Sequence, residues 1–160
     1  MLLILTVLLL LALIVGGLLV STANRLDRLH VRTDAGWAAL DAAMARRAVV
    51  ARAVAVGGPP GPIAARLRAA ADHAESAPRG ERESAENELT RLLAKVDRSA
   101  LSDVLTRELR DAEHRLVIAR RVHNDAVRDT LALRRRRKVR YFKLAGSAPP
   151  PAYFEIAEPD

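Results

Sequence analysis

The hydrophobic pattern of this chain changes character once, near residue 23. From Leu2 to Val20 no side chain is charged and Thr6 is the single polar one. A helix of that length covers about 30 Å, the thickness of a bilayer's hydrocarbon core. Beyond it the apolar positions become periodic. Leu26, Leu29, Thr33, Trp37, Leu40 and Met44 recur at three- and four-residue steps, and Val50 and Val54 extend the stripe past an interrupting Arg47. This spacing predicts one amphipathic helix over 24–56, ended by the run Gly57, Gly58, Pro59, Pro60, Gly61, Pro62.

Two shorter helices follow by the same reading. One covers about 62–77, with Pro62 in its first turn and Ile63, Leu67 and Ala69–Ala71 as its apolar side. The other covers about 81–97, carried by Leu89, Leu92, Leu93 and Val96, after a break through Pro78 and Gly80. Ser102 is a candidate N-cap for a fourth helix over about 102–139. Its stripe is Leu105, Leu109, Ala112, Leu116, Ala119, His123, Ala126, Thr130 and Leu133, a seven-residue repeat of the kind found in bundle and coiled-coil seams. Gly146 and Pro149–Pro151 exclude helix from the last stretch. The fold class expected is all-α: an apolar anchor over 1–23, a helical bundle over 24–140 and an irregular Pro/aromatic tail over 141–160. Almost no period-two alternation argues for strands.

Helix lengths suggest how such a bundle closes. The first and fourth helices are each roughly 50 Å long and the second and third roughly 25 Å. An elongated antiparallel arrangement follows, with the short hairpin against the distal half of the two long helices. Arg47 and Glu113 then stand at nearly the same height, as do Asp41 and Arg120. Two cross-bundle pairs are expected, Arg47 with Glu113 and Asp41 with Arg120, with solvated surface charges as the alternative.

The apolar run also has two readings. Ser21 and Ala23 place small residues where a signal peptidase acts, but the run is long for a secretory signal and has no basic residue before it. A retained, single-pass membrane helix is expected. Arg25, Arg28 and Arg32 follow it closely, which orients the N-terminus outside and residues 24–160 inside, in the cytoplasm.

Composition adds charge. The net charge is +7 and the isoelectric point about 10.9. Most bases are interleaved with acids. The exception is the run Arg134, Arg135, Arg136, Arg137 and Lys138, continued by Arg140 and followed by Tyr141 and Phe142. These eight residues are the expected membrane-surface contact, the bases against an anionic inner leaflet and the aromatics at headgroup level. A nucleic-acid patch is the alternative use of the same run.

Catalytic chemistry finds little support. The histidines, His30, His73, His114 and His123, form no HExxH pair, and Asp111 with His114 supplies one copy of a spacing that di-iron bundles need twice. There is no cysteine. The chain is expected to be non-enzymatic, without metal or cofactor, its partners being the bilayer and an unidentified protein.

The residues then resemble a family. Asn24, Leu26, Leu29, Arg32, Asp34, Trp37, Leu40, Asp41, Arg46 and Arg47 are similar in order and spacing to the opening helix of LemA-family proteins. Ala112, Glu113, Ala119, Arg120, Arg121, Asn124 and Val127 resemble its second block, and Leu144, Ala145, Gly146, Tyr153, Phe154 and Glu155 its glycine–aromatic ending. The departures are the absence of a proline between Val49 and Ala53 and a histidine, His123, where the family has tyrosine. The resemblance implies a membrane helix and an antiparallel bundle, and no established activity. The role expected is that of a scaffold that organises or recruits partners at the membrane.

Overall fold

The computed structural model describes residues 1–58 and 61–157; Pro59 and Pro60 of the first helix break, and the last three residues of the tail, lie outside them. The elements are α1 (Leu2–Gly57), α2 (Pro62–Ser76), α3 (Arg82–Leu93), a 3-10 turn (Arg98–Ala100), α4 (Asp103–Arg134) and α5 (Arg137–Tyr141), with no strand among the described residues. The chain is an all-helical bundle protein. The apolar run and the first amphipathic segment are one uninterrupted helix, because Ser21, Thr22 and Ala23 carry nothing that stops one. Thr22 turns its hydroxyl back to the Leu18 carbonyl, 2.7 Å away, and so hides its polarity within the helix.

Local chemistry sets the ends. Ala77 is extended ahead of Pro78, as a residue before proline prefers, and α2 stops at Ser76. The α3 helix is shorter than the expected 81–97. After Leu93 the amides of Lys95 and Val96 reach back only three residues, to Leu92 and Leu93, and the helix closes as a turn. Asp97 accepts from the Ser99 amide at 2.9 Å and starts the 3-10 turn. Ser102 caps α4, its hydroxyl accepting from the Leu105 amide at 3.3 Å.

The fourth helix also ends early, at Arg134 instead of 139. Leu133 and Val139 are both buried in one cluster with Leu26. Six residues of continuous helix turn through about 600°, which would put Val139 on a different face from Leu133. The extended Arg136 breaks the helix and returns Val139 to the core.

The chain divides into two compact units. One comprises Met1–Ala35 and Asp125–Ala152. Its α1 and α4 segments run antiparallel, Leu26 packing with Leu133 and Thr33 hydrogen-bonding Thr130 at 3.0 Å between buried hydroxyls. The other comprises Gly36–Asn124 and Tyr153–Asp160. Here Leu40, Met44 and Leu116 form one cluster, and a larger one gathers Val54, Leu67, Leu89, Leu93, Leu109 and many alanines. Gly36 lets α1 and α4 approach: a Cβ there would lie 3.2 Å from the Cα of His123. All nine expected seam positions of α4 are buried or half-buried.

Polar pairing in the second unit differs from the expected cross-bundle pairs. Arg47 is fully buried, and its guanidinium donates to the Glu86 carboxylate at 2.5 Å, the Glu86 carbonyl at 3.0 Å and Thr90 Oγ1 at 3.0 Å, all on α3. Glu113 is met instead by a two-pronged Arg98 at 3.1 and 3.2 Å. Asp41 pairs with Arg82, which also donates to the Ala74 and Glu75 carbonyls at 2.7 and 2.6 Å and so closes the end of α2. Arg120 is half-buried on α4. Matching heights along two helices fixed the level of each charge but not its angle about the axis. Arg47 and Asp41 face the short hairpin, which brings charges of its own.

Burial holds the Glu86 carboxyl above its ordinary value of 4.5, the Arg47 charge offsetting only part of the lost hydration. A folded-state pKa above the unfolded one means that the protonated form favours folding. That contribution is complete below about pH 4.5 and is lost as pH rises through the folded value. Relative to Glu86→Gln, which cannot ionise, the native chain should therefore lose stability as pH rises from that point, measured by denaturant melts followed by circular dichroism. Arg47→Ala should cost about 3–5 kcal/mol by leaving a buried carboxylate alone, whereas the paired change Arg47→Met with Glu86→Leu should come out near neutral.

Candidate functional site

Two surfaces carry chemistry beyond packing, one in each unit. In the first, an exposed apolar helix runs directly into cationic residues. The Leu2–Val20 stretch is almost wholly exposed, and α1 is long and apolar enough to cross a membrane. Just past it Arg25, Arg32 and Arg136 line a cleft floored by Leu29 and Leu133, with Asp129 at its edge 3.4 Å from Arg32. Asp129 also lies 3.6 Å from Arg128. No ion pair engages Arg25 or Arg136 among the described residues.

The basic run is divided by the helix break. Arg134 is half-buried and committed: one guanidinium nitrogen lies 3.2 Å from His30 Nε2 and the other donates to the Ala148 carbonyl at 2.7 Å, tying down the following segment. Arg135, Arg136, Arg137, Lys138 and Arg140 are exposed. Tyr141 and Phe142 stack edge-to-face with centroids 5.0 Å apart and are 83% and 47% exposed, which leaves both rings available to an apolar or interfacial phase. Lys143 adopts a left-handed conformation, φ 50°, and Gly146 a second, φ 57°, so the chain reverses after α5.

In the second unit the end of the tail is seated in a groove. Residues 153–157 are extended, with Phe154 and Ile156 buried and Glu155 and Ala157 exposed, the alternation of a strand-like segment. Asn124 grips Phe154 at both backbone groups: the Phe154 amide donates to Oδ1 at 2.9 Å and Nδ2 donates to the Phe154 carbonyl at 3.0 Å. The Glu155 amide donates to Glu83 Oε1 at 2.8 Å and the Ala157 amide to Asn87 Oδ1 at 2.7 Å. Trp37 lies edge-on to Phe154 and to His123, at 5.7 and 5.6 Å, and the Arg79 guanidinium covers its face at 3.8 Å.

Hydrophobic and heptad patterns did not point to this groove. A weak signal was available: asparagine is a poor helix former, and of the chain's three asparagines, all inside helices, Asn87 and Asn124 bind the tail while Asn24 is exposed. Among the described residues no three or more His, Asp or Glu side chains converge as a metal site would require. Comparison of the chain with protein-family models, with curated proteins and with solved structures finds no match in any of the three.

The single tryptophan reports on the groove. Phe154→Ala should red-shift Trp37 emission as the indole gains water, and lower stability by about 3–5 kcal/mol, the usual cost of truncating a buried phenylalanine.

Proposed function

We propose that this chain is a membrane-anchored, non-enzymatic helical bundle of the LemA type that organises or recruits partners at the inner face of the cell membrane. The observation that carries the reading is the direct succession, in one compact unit, of the exposed apolar Leu2–Val20 helix and a cationic surface. Arg25 lies five residues past Val20, about 7.5 Å along the axis. A headgroup layer is about 5–8 Å deep on each side of the hydrocarbon, so Arg25 reaches its outer edge. Arg136 lines the same cleft, and Arg135, Arg137, Lys138 and Arg140 are exposed on the same segment. Bases on the side of a span where they stay are retained inside, which favours a cytoplasmic bundle.

Anionic lipid is the natural counter-surface for this cluster. Each base near a charged leaflet contributes about 1 kcal/mol, so the five exposed bases Arg135, Arg136, Arg137, Lys138 and Arg140 together supply about 5 kcal/mol. Tyr141 and Phe142 add interfacial contact. The arginine–acid interleaving elsewhere favours a lipid surface over a nucleic-acid duplex, which is read by a continuous basic stripe.

Trypsin cleavage within the basic run tests this. With the full chain in sealed vesicles, cleavage after Arg135–Lys138 should be at least tenfold slower in anionic than in zwitterionic lipid, and high salt should abolish the difference. Equal rates in the two lipids, or protection by added oligonucleotide alone, would contradict the lipid reading.

A further inference from the structure

We propose that the groove holding residues 153–157 is a peptide-recognition site whose ligand is an extended segment with an aromatic side chain and, two residues on, an aliphatic one, and that it accepts this segment from a second copy of the chain as well as from its own. The way the groove holds its occupant carries the inference. Backbone groups of the segment are bound by side chains: Asn124 takes the amide and carbonyl of Phe154, Glu83 the amide of Glu155 and Asn87 the amide of Ala157. Such contacts hold any extended chain, and alternate side chains then select among sequences. Phe154 against Trp37, and Ile156 two residues on, supply that selection. Phe154 and Ile156 are buried with Leu40, Met44 and Leu116, so a vacated groove exposes apolar surface that the same segment of a second copy covers equally well.

The segment is also separable from the elements that form its groove. It has no regular secondary structure and makes no intrahelical hydrogen bond, and it follows Pro149, Pro150 and Pro151. Releasing it breaks the groove contacts and unravels no helix. Exchange of an identical segment between copies restores every contact, so the balance between the two arrangements rests on effective concentration and not on new interactions.

Complementation between two full-length copies, differently tagged and mixed in detergent micelles, tests the inference. One copy carries Asn124→Ala, which removes two hydrogen bonds and should weaken its groove about 10- to 100-fold while keeping an intact tail. The other carries Phe154→Ala, with an intact groove and an impaired tail. The mixed pair should co-purify at least tenfold above either variant with itself, and excess peptide spanning residues 152–157 should release it. A copy carrying both changes should pair with neither. If Phe154→Ala loses its helical signal, Glu155→Pro replaces it: proline removes one donor to Glu83 while keeping both apolar side chains, and an extended Phe154 suits the position before it. Two helical variants that fail to pair overturn the proposal, and so does pairing that persists in the doubly changed copy, since the contact then lies elsewhere on the chain.

Discussion

A guanidinium withdrawn from water is stable only where a counter-charge and acceptors meet it, and Arg47, met so at its two terminal nitrogens, imposes that condition on the bundle. It projects from α1 into a region otherwise filled by alanine, leucine and valine, so α3 must stand where Glu86 and Thr90 can receive it. Alanine-rich faces slide easily, because small side chains interlock weakly. A buried charge that is satisfied in one position only removes that freedom. Arg82 repeats the device at the surface, joining Asp41 on α1 to the last carbonyls of α2. The short hairpin is thus located by two arginines, and the apolar packing fills in around them.

That constraint explains which parts of the fold were legible from residue order. Periodicity alone identified the α1 and α4 stripes, since a helix face is a property of one segment and its spacing. Pro62, Pro78 and Ser102 marked boundaries for equally local reasons. The pairing of Arg47 was not legible. Its height along the bundle follows from counting residues, but its direction depends on where α3 lies, which no local pattern states. The end of α4 failed for a related reason. The arginine run continues a good helical sequence, and what breaks it is the demand of Leu133 and Val139 for the same buried cluster.

The candidate surfaces divide in the same way. The basic run beside an apolar helix is a compositional feature and was visible at once, although the structure withdraws Arg134 from it to hold the Ala148 carbonyl. The tail groove was hidden because its polar residues, Glu83, Asn87 and Asn124, are scattered over two helices. Their common purpose appears only when the extended tail lies across them. An Asn within a helix is a cost unless something uses it, and here the backbone of residues 154–157 does. In the proposed reading, an α1 anchor and a recognition groove would be separate capacities of one chain, and a recruiting protein would need both.

The side of the membrane occupied by the bundle is the most direct check on the account. A C-terminal tag on the full-length chain should be protected from protease in intact cells and digested in inverted vesicles, with the chain retained at full length in the membrane fraction. Digestion of the tag in intact cells, or release of a chain shortened near Ala23, would contradict an inner-face scaffold and would assign the basic run a different surface.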